Sequence, residues 1–260
     1  MVYPARIGLI IPSADQLTET QFHRYCPDGV TIHVTRLRLP ERRHLTMAEI
    51  DDAIAEAATV LADAGPGVIV FHYPVSTLGD AAERESRYLD VIEEATDLPV
   101  VSTGRAVIEA LNSLGVGKLV LITPYDEATG QTETRYLEDA GFEVIHELGL
   151  GLSGVDEYIM VPAQRWQQIA IANARDDADG YLLSCTNTNM IAVIEACESH
   201  LGKPVITSNQ ATFADCLRVL RRCGARTMQL KPDVQRVFND ALQREMQRSV
   251  WKSGCRSWYL

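Results

Sequence analysis

The sequence lacks several patterns that would place it in a particular class of protein. Its six cysteines form no Cys-x-x-Cys pair and no closely spaced framework, which argues against a disulfide-rich domain and favours reduced thiols. No apolar run approaches the roughly 20 residues that a membrane-spanning helix needs. The first residues show no basic stretch followed by an apolar one, so no signal peptide is predicted and we expect a cytoplasmic protein.

Positive charge is also scarce. The chain carries 24 Lys and Arg against 35 Asp and Glu, a formal net charge of -11. Nucleic acids and membrane surfaces bind basic faces, so neither is predicted as a partner. A small carboxylic acid stays a candidate substrate, because backbone N–H groups and a helix N-terminus can outweigh a distant net charge. With 260 residues and 46% hydrophobic content, the chain allows one large or two small domains.

Short apolar runs alternate with amphipathic helical stretches. Such runs, bounded by turn signals and separated by helices, predict a parallel sheet that is covered on both faces, and therefore an α/β fold. The predicted strands are Arg6–Ile11, Val30–Leu39, Gly67–Phe71, Leu98–Val101, Lys118–Thr123, Phe142–Leu148, Gly180–Leu183 and Pro204–Thr207. The predicted helices are Thr18–Tyr25, Thr46–Ala62, Ala81–Ala95, Arg105–Leu114, Glu127–Ala140, Gln164–Ala174, Met190–Ser199 and Ala211–Arg221. In such sheets ligands bind beyond the carboxyl ends of the strands.

A weak internal repeat divides the chain into similar halves. Leu98–Ala106 parallels Lys203–Ala211, and one helix earlier Gly67–Tyr73 parallels Gly180–Thr186. We therefore predict two pseudo-symmetric Rossmann-like domains with parallel sheets and an active site in the cleft between them. The predicted division is residues 1–115 with 205–225 for the first half, 116–204 for the second, and 226–260 for a C-terminal helix and tail.

Cys185 is the strongest candidate for chemistry. It follows a predicted buried strand, next to the N-terminus of the following helical pattern, where the helix dipole and free N–H groups lower the pKa of a thiol. The hydrogen-bonding side chains of Thr186 and Asn187 surround it where a plain core would exclude them. Cys185 is predicted to act as a nucleophile or an acid/base, the alternative being a buried structural cysteine.

Other strand ends supply candidate ligands. Ser13 and Asp15 follow the first strand and either bind a carboxylate or cap the next helix. Tyr125 follows a later strand, where its hydroxyl would donate to an oxyanion, unless it is an aromatic side chain packed at the rim. Asn209 follows the last strand as an N-cap, a ligand contact or both.

The segment after the third strand occupies the position that the repeat pairs with Cys185. It contains no thiol. His72 is a candidate acid or base, although a hydrogen-bonded histidine without catalytic function is the simpler interpretation. Ser76 and Thr77 are candidate donors to a substrate carboxylate.

These segments together resemble a known superfamily. Residues from about 5 to 225 resemble the aspartate/glutamate racemases, and within them the branch of the arylmalonate decarboxylases and maleate cis–trans isomerases. The resembling segments are Gly8–Ser13, Ala110–Tyr125, Gly151–Val155, Leu182–Asn187 and Lys203–Gln210. The resemblance implies chemistry at a carbon next to a carboxylate, with no metal and no cofactor.

The resemblance also bears on the type of reaction. Racemases of the superfamily place two cysteines across the substrate, one from each half, whereas here the first-half position falls at His72 or Tyr73. Arylmalonate decarboxylases keep only the second-half cysteine and protonate an enediolate from it. The resemblance thus implies a decarboxylase-type lyase on a small malonate-like acid, with Cys185 and Tyr125 as catalytic residues. The alternatives are a maleate-type isomerase, a racemase that uses His72, and a carboxylate-binding protein without activity.

Two departures from the decarboxylase pattern concern the loops. Tyr73 and Pro74 are bulky where the decarboxylases carry small hydroxyl donors, and Ser76 and Thr77 would have to replace them. Asp15 or Ala14 aligns with an asparagine of the isomerases, and a carboxylate there would repel a dianionic substrate unless it is protonated or turned away.

The C-terminal region carries a second resemblance. Leu230–Asp240 and Val250–Leu260 resemble a segment near the end of flavin-dependent Baeyer–Villiger monooxygenases. FAD is not inferred, because the one Gly-x-Gly-x-x-Gly segment, Gly149–Gly154, lacks the context of a dinucleotide site. The aromatic residues Trp251, Trp258 and Tyr259 are expected to pack on the body of the protein or at a contact within a homo-oligomer, the alternative being a disordered tip.

Overall fold

A computed structural model describes residues 5–38, 46–73 and 80–223. Within these ranges strands and helices alternate, and the predicted α/β fold is confirmed. The strands are β1 (Ala5–Pro12), β2 (Val30–Leu37), β3 (Val68–Phe71), β4 (Val100–Ser102), β5 (Lys118–Thr123), β6 (Glu143–Gly149), β7 (Gly180–Leu183) and β8 (Val205–Thr207). The helices are α1 (Thr18–Tyr25), α2 (Met47–Ala62), α3 (Ala81–Thr96), α4 (Thr103–Ser113), α5 (Glu127–Asp139), α6 (Val155–Met160), α7 (Ala163–Ala172), α8 (Ile194–Leu201) and α9 (Ser208–Arg222), with a 3₁₀ helix at Met190–Val193. No helix in the described ranges is long and apolar enough to cross a membrane.

The strands form two parallel sheets of the same topology. The first has the order β2-β1-β3-β4 and the second the order β6-β5-β7-β8. In both sheets the first strand of the half lies between the second and third strands of that half. The predicted pair of pseudo-symmetric domains with parallel sheets is therefore confirmed.

The shared topology aligns the two halves residue by residue at the ends of β3 and β7. Each of these strands has four residues. Strand β3 pairs with β1 and β4, and strand β7 pairs with β5 and β8 in the same way. Phe71 therefore corresponds to Leu183, and Tyr73 corresponds to Cys185. The residue at the first-half position of the thiol is thus Tyr73, and His72 corresponds to Ser184.

Helices α4 and α9 start directly at the ends of β4 and β8, earlier than predicted. The Ser102 hydroxyl accepts a hydrogen bond from the backbone N–H of Arg105 at 3.4 Å. Thr207 and Gln210 form a capping box at the start of α9. Because these caps satisfy the first free N–H groups, the helix needs no intervening loop. Residues just beyond these two strands are therefore held rigidly.

The two halves share a core. One cluster of buried apolar side chains includes Leu9 and Val70 from the first sheet, Leu183 from the second, and Phe213 from α9. Strand β8 pairs with β7 in the second sheet, whereas α9 packs against strands of both sheets and against α4. The division into residues 1–115 with 205–225 and residues 116–204 stays a prediction, and residues 226–260 lie outside the described part of the chain.

Candidate active site

Cys185 lies two residues beyond the end of β7, and its thiol lines a cavity between the two halves. The side chain is buried, with 6% of its surface exposed. The described residues that line this cavity are Thr103, Gly104, Val107, Tyr125, Glu133, Tyr136, Leu137, Ser184, Cys185, Thr186 and Ser208. They come from α4, α5, the loop after β5, the loop after β7 and the start of α9, so the cavity forms only when both halves are packed together.

Two donors contact the Cys185 thiol. The backbone N–H of Asn187 lies 3.4 Å from the sulfur, and the Tyr125 hydroxyl is hydrogen-bonded to it. Burial nevertheless raises the pKa of Cys185 to about 12, because it outweighs the lowering by both donors. The thiol is therefore neutral at physiological pH, and the expected lowering of its pKa is wrong.

The pKa of Cys185 is not lowered as expected because of the backbone structure just after it. The chain after Cys185 makes a turn and continues into the 3₁₀ helix at Met190–Val193, so that no α-helix begins at the thiol. The dipole of a full helix is thus missing at this position. What remains of the predicted stabilisation is the single N–H of Asn187.

Tyr125 is buried beside the thiol. Its ring makes an edge contact with the ring of Tyr158, with 5.8 Å between the centroids. Burial raises the pKa of Tyr125 well above its usual value, and the neighbouring Cys185 and Glu133 raise it further. Its hydroxyl therefore stays protonated and can donate a hydrogen bond. Tyr125 lines the cavity, and its role as an oxyanion donor stays a prediction.

The segment after Cys185 offers further donors. Asn187 is buried, and its Oδ1 accepts a hydrogen bond from the backbone N–H of Gln16 at 3.0 Å. Its Nδ2 has no acceptor within the described residues. The backbone N–H groups of Cys185 and Thr186 also donate to no acceptor in that part of the chain. Buried donors of this kind are normally satisfied, so these groups are candidate donors to an anionic ligand.

Asp15 and Ser13 are not among the described residues that line the cavity. The carboxylate of Asp15 accepts hydrogen bonds from the backbone N–H groups of Leu17 and Thr18, at 3.1 and 2.9 Å, and from the Thr18 hydroxyl at 2.8 Å. Asp15 thus caps α1, one of its two predicted roles. Ser13 is exposed and is not among the residues that line the cavity. Their roles as substrate ligands stay predictions.

His72 is completely buried and both of its ring nitrogens are engaged. Nε2 lies 2.9 Å from Asn209 Oδ1, and Nδ1 lies 2.8 Å from the Thr103 hydroxyl oxygen. Burial lowers the pKa of His72 to about 4, against a smaller rise caused by Asp15. His72 does not line the cavity, and its role as a second acid or base stays a prediction. Asn209 also bonds the carbonyl of Thr186 and therefore supports the segment that carries Cys185.

Sequence reasoning found part of this cavity and missed part of it. Cys185, Tyr125 and Thr186 line it as a group, whereas Ser76 and Thr77 lie outside the described residues. Glu133 was missed, although it had a signal in the sequence. It lies three and four residues before Tyr136 and Leu137, so a carboxylate shares a helix face with residues of a buried stripe.

The fold and the cavity together define an α/β enzyme with two equivalent parallel sheets and a site between them. The sequence profile of the arylmalonate decarboxylase family matches residues 7–229, and the chain belongs to that family. This assignment confirms the branch that the sequence motifs indicated.

The individual relatives are named either arylmalonate decarboxylase or maleate isomerase. The chain is 26% identical to the arylmalonate decarboxylase of Bordetella bronchiseptica over 237 residues, which cover 90% of this chain and 97% of the relative. It is 25% identical to the maleate isomerase of Alcaligenes faecalis over 230 residues, 83% of this chain and 90% of the relative. A crystal structure of arylmalonate decarboxylase superposes with a TM-score of 0.75 at 25% identity, covering 88% of this chain and 96% of that chain.

The second resemblance is much more limited. A Baeyer–Villiger monooxygenase of Pseudomonas aeruginosa is 40% identical over 57 residues, which are 22% of this chain and 11% of that protein. A match of this extent carries no activity over to the present chain.

Proposed function

We propose that the protein is a cofactor-independent decarboxylase of a small malonate-like carboxylic acid, with Cys185 as the proton donor. The observation that carries the proposal is a buried thiol whose pKa is raised to about 12 and which contacts a tyrosine hydroxyl in the cavity. A thiol in this state holds its proton at neutral pH and is suited to general-acid catalysis. A nucleophilic cysteine would need the thiolate.

The reaction proceeds in two steps. The bond between the α-carbon and one carboxylate breaks, CO2 leaves, and the electron pair stays on the remaining carboxylate as an enediolate. The Cys185 S–H bond then breaks as its proton bonds to the α-carbon, and the resulting thiolate takes up a proton from water. One proton is consumed for each CO2 released, so charge and atoms balance.

The enediolate needs donors that are in place before charge develops. The Tyr125 hydroxyl, the N–H groups of Cys185 and Thr186, and the side-chain amide of Asn187 are proposed for this role. All of them belong to the loops after β5 and β7, and Tyr125, Cys185 and Thr186 line the cavity. Ser76 and Thr77 are further candidates through the family resemblance alone.

A single thiol agrees with protonation on one face. In the first half, Tyr73 occupies the position that corresponds to Cys185. No second cysteine is among the described residues that line the cavity. Exchange of protons on both faces of a substrate carbon would need a second acid/base there.

The test is a panel of malonates, maleate and 2-substituted monocarboxylic acids, incubated in heavy water and analysed by mass spectrometry. We expect CO2 release and one deuterium at the product α-carbon. Cys185→Ser should lower turnover by about 100-fold or more, the usual effect of losing a general acid. Cys223→Ser makes the same chemical change at the end of α9, outside the cavity, and should leave turnover unchanged.

Other outcomes would contradict the proposal in distinct ways. Loss of maleate without CO2 release would identify an isomerase. Deuterium uptake into an unchanged monocarboxylic acid would identify a racemase. Full turnover by Cys185→Ser would remove the assignment of the proton donor.

A further inference from the structure

The thiol loop, residues 184–189 after β7, is held from outside by two helices. Its residues belong to no strand or helix, so the path of the loop depends on its hydrogen bonds. Nδ2 of Asn209, on α9, donates to the carbonyl of Thr186 at 2.9 Å. Nε2 of Gln21, on α1, donates to the carbonyl of Thr188 at 2.7 Å. Two carbonyls of the thiol loop are thus held by side-chain amides from other parts of the chain.

Asn209 is the donor on which the Thr186 carbonyl depends. The Thr18 hydroxyl also lies 3.1 Å from this carbonyl, but it lies closer, at 2.8 Å, to Oδ2 of Asp15. A hydroxyl has a single proton to donate, and a carboxylate is the stronger acceptor. Nδ2 of Asn209 has two protons, and it donates one to Thr186 and the other to Oε1 of Gln21 at 2.6 Å.

His72 holds the other end of the Asn209 amide. Because both protons of that amide are used, its oxygen faces the imidazole, and Nε2 of His72 donates to it at 2.9 Å. Nδ1 then accepts a hydrogen bond from the Thr103 hydroxyl at 2.8 Å. Burial lowers the pKa of His72 to about 4, so the imidazole is neutral at physiological pH and keeps one donor and one acceptor. His72 is therefore bound on both sides and fixes the orientation of Asn209.

The peptide bond between Thr186 and Asn187 links this network to the thiol. Because a peptide unit is planar, the carbonyl of Thr186 and the N–H of Asn187 keep a fixed relative direction. That N–H lies 3.4 Å from the Cys185 sulfur. Burial raises the pKa of Cys185, and of the two donors that lower it the Asn187 N–H has the larger effect, ahead of the Tyr125 hydroxyl. A chain of single contacts therefore runs from His72 to the thiol.

We propose that His72 is a positioning residue for the proposed reaction and acts on the Cys185 thiol through Asn209. This inference rests on the proposed function. By orienting the Asn209 amide, the imidazole fixes the peptide unit whose N–H contacts the sulfur. When the thiol gives up its proton, this N–H stabilises the thiolate, and it does so best if it is in place before the charge develops. Without the imidazole, Oδ1 of Asn209 would be buried and unsatisfied, which favours rotation of the amide away from Thr186.

The test compares two substitutions that differ in reach. The amide of His72→Gln extends as far as Nε2 of the imidazole and can donate to Asn209, whereas the shorter amide of His72→Asn extends only as far as Nδ1. With methylmalonate and phenylmalonate as substrates of the full-length protein, His72→Asn should lower kcat by about 10- to 100-fold, the effect of a misplaced catalytic group, with KM nearly unchanged. His72→Gln should keep most of the turnover. Equal losses in both variants, as for an acid or base at His72, would overturn the inference.

A matched control lies in the second half. Nε2 of His146 lies 3.0 Å from Oδ1 of Asn173, and Nδ2 of Asn173 donates to the carbonyl of Ile169 at 2.8 Å. This pair repeats the contacts of His72 and Asn209. The carbonyl that it holds lies in α7, which supplies none of the described residues that line the cavity. His146→Asn therefore makes the same change away from the thiol loop, and its kcat should stay near that of the wild type.

Hydrogen exchange followed by mass spectrometry gives a readout that does not depend on turnover. Amide exchange of the peptide that contains the thiol loop should be about 10-fold faster or more in His72→Asn, because the loop opens locally when a buried hydrogen bond is lost. The same peptide in His72→Gln and in His146→Asn should exchange as in the wild type. Faster exchange throughout the core of His72→Asn would indicate a loss of global stability alone and would overturn the inference.

The two readouts distinguish this inference from the proposed function. Faster exchange confined to the thiol loop, without CO2 release by the wild type, would support positioning by His72 and contradict the decarboxylase. CO2 release with an unchanged kcat in His72→Asn would overturn the inference and leave the decarboxylase intact. Should His72→Asn fail to fold, Asn209→Asp keeps an acceptor for His72 but removes the donor to Thr186, and the same local exchange is expected. Unchanged exchange of the thiol loop in that variant would equally overturn the inference.

Discussion

His72 donates a hydrogen bond from Nε2 to Oδ1 of Asn209 across 2.9 Å, joining the end of β3 to the start of α9, 137 residues further along the chain. The amide of Asn209 can be oriented because its Nδ2 contacts two acceptors, the side-chain oxygen of Gln21 at 2.6 Å and the carbonyl of Thr186 at 2.9 Å. Its oxygen must therefore face the histidine, so Nε2 carries the proton. The network ends at the residue that follows Cys185, and it fixes a neutral imidazole.

The neutral His72 predicts a specific loss of stability in acid. Burial lowers its pKa to about 4 from an ordinary value of 6.5. As pH falls below 6.5 the unfolded chain gains a proton that the folded chain does not, so stability present above that pH is lost progressively toward pH 4. The free energy of unfolding should fall by about 3 kcal/mol from this group.

Urea unfolding between pH 7 and pH 4.5 measures this effect. The difference in stability between wild type and His72→Gln should shrink as pH falls, because the variant has no imidazole to protonate. His23→Gln, at an exposed position of α1, should follow the wild-type curve. Parallel curves for wild type and His72→Gln would show that the imidazole titrates normally in the folded protein.

The buried thiol predicts low reactivity at Cys185. With the pKa at about 12, the thiolate fraction at pH 7.5 is about 1000-fold below that of an ordinary cysteine. Iodoacetamide should therefore label the Cys185 peptide far more slowly in the folded protein than in urea, and the rate should keep rising above pH 10. Half-buried Cys223 provides the internal comparison. A rate that levels off near pH 8 would indicate an ordinary thiol and favour a nucleophilic role.

The proposed function gives the Tyr125 hydroxyl a role that its ring cannot replace. Tyr125→Phe keeps the packing against Tyr158 but removes the donor to Cys185 and to the developing enediolate. Turnover should fall by about 100-fold with little change in melting temperature. Tyr88→Phe makes the same change in the core of the first half and should stay near wild type. Equal turnover in both variants would show that the hydroxyl is not needed.

The fold was predictable because its signals are local. Apolar runs, helical periodicity and caps such as Thr207 act within a few residues of one another, and the ends of parallel strands meet at one edge of a sheet. This is why Cys185 and Tyr125 were found by their positions alone. The two roles of Asp15 were equally compatible with the sequence, and the contacts with Thr18 show the cap.

The properties that escaped prediction depend on packing between distant segments. The sequence displays the donors near Cys185 but not the depth of its burial, and burial decides the pKa. Glu133 on α5 lines the cavity, and Glu85 on α3 packs against Gly104, which lines the cavity too. A close approach of this kind has no signature in the sequence beyond a glycine near the start of a helix.

Gly104 provides the last prediction. A Cβ at this position would lie 2.6 Å from Glu85 Oε1 and still closer to the Tyr136 hydroxyl. Alanine normally stabilises a helix interior by up to about 1 kcal/mol relative to glycine. Here it must displace a buried hydrogen bond between two polar groups, which costs about 1–3 kcal/mol. Gly104→Ala should therefore lower both stability and kcat/KM.

A double-variant cycle tests the cause of that loss. Tyr136→Phe removes the hydroxyl that a Cβ would meet first, so adding it to Gly104→Ala should restore part of the lost stability, and the two effects should not add. Gly154→Ala is the control, because a Cβ there meets nothing within 4 Å, and its stability should stay within about 0.5 kcal/mol of wild type. Strict additivity between Gly104→Ala and Tyr136→Phe would mean that the Tyr136 hydroxyl is not what excludes a side chain at position 104.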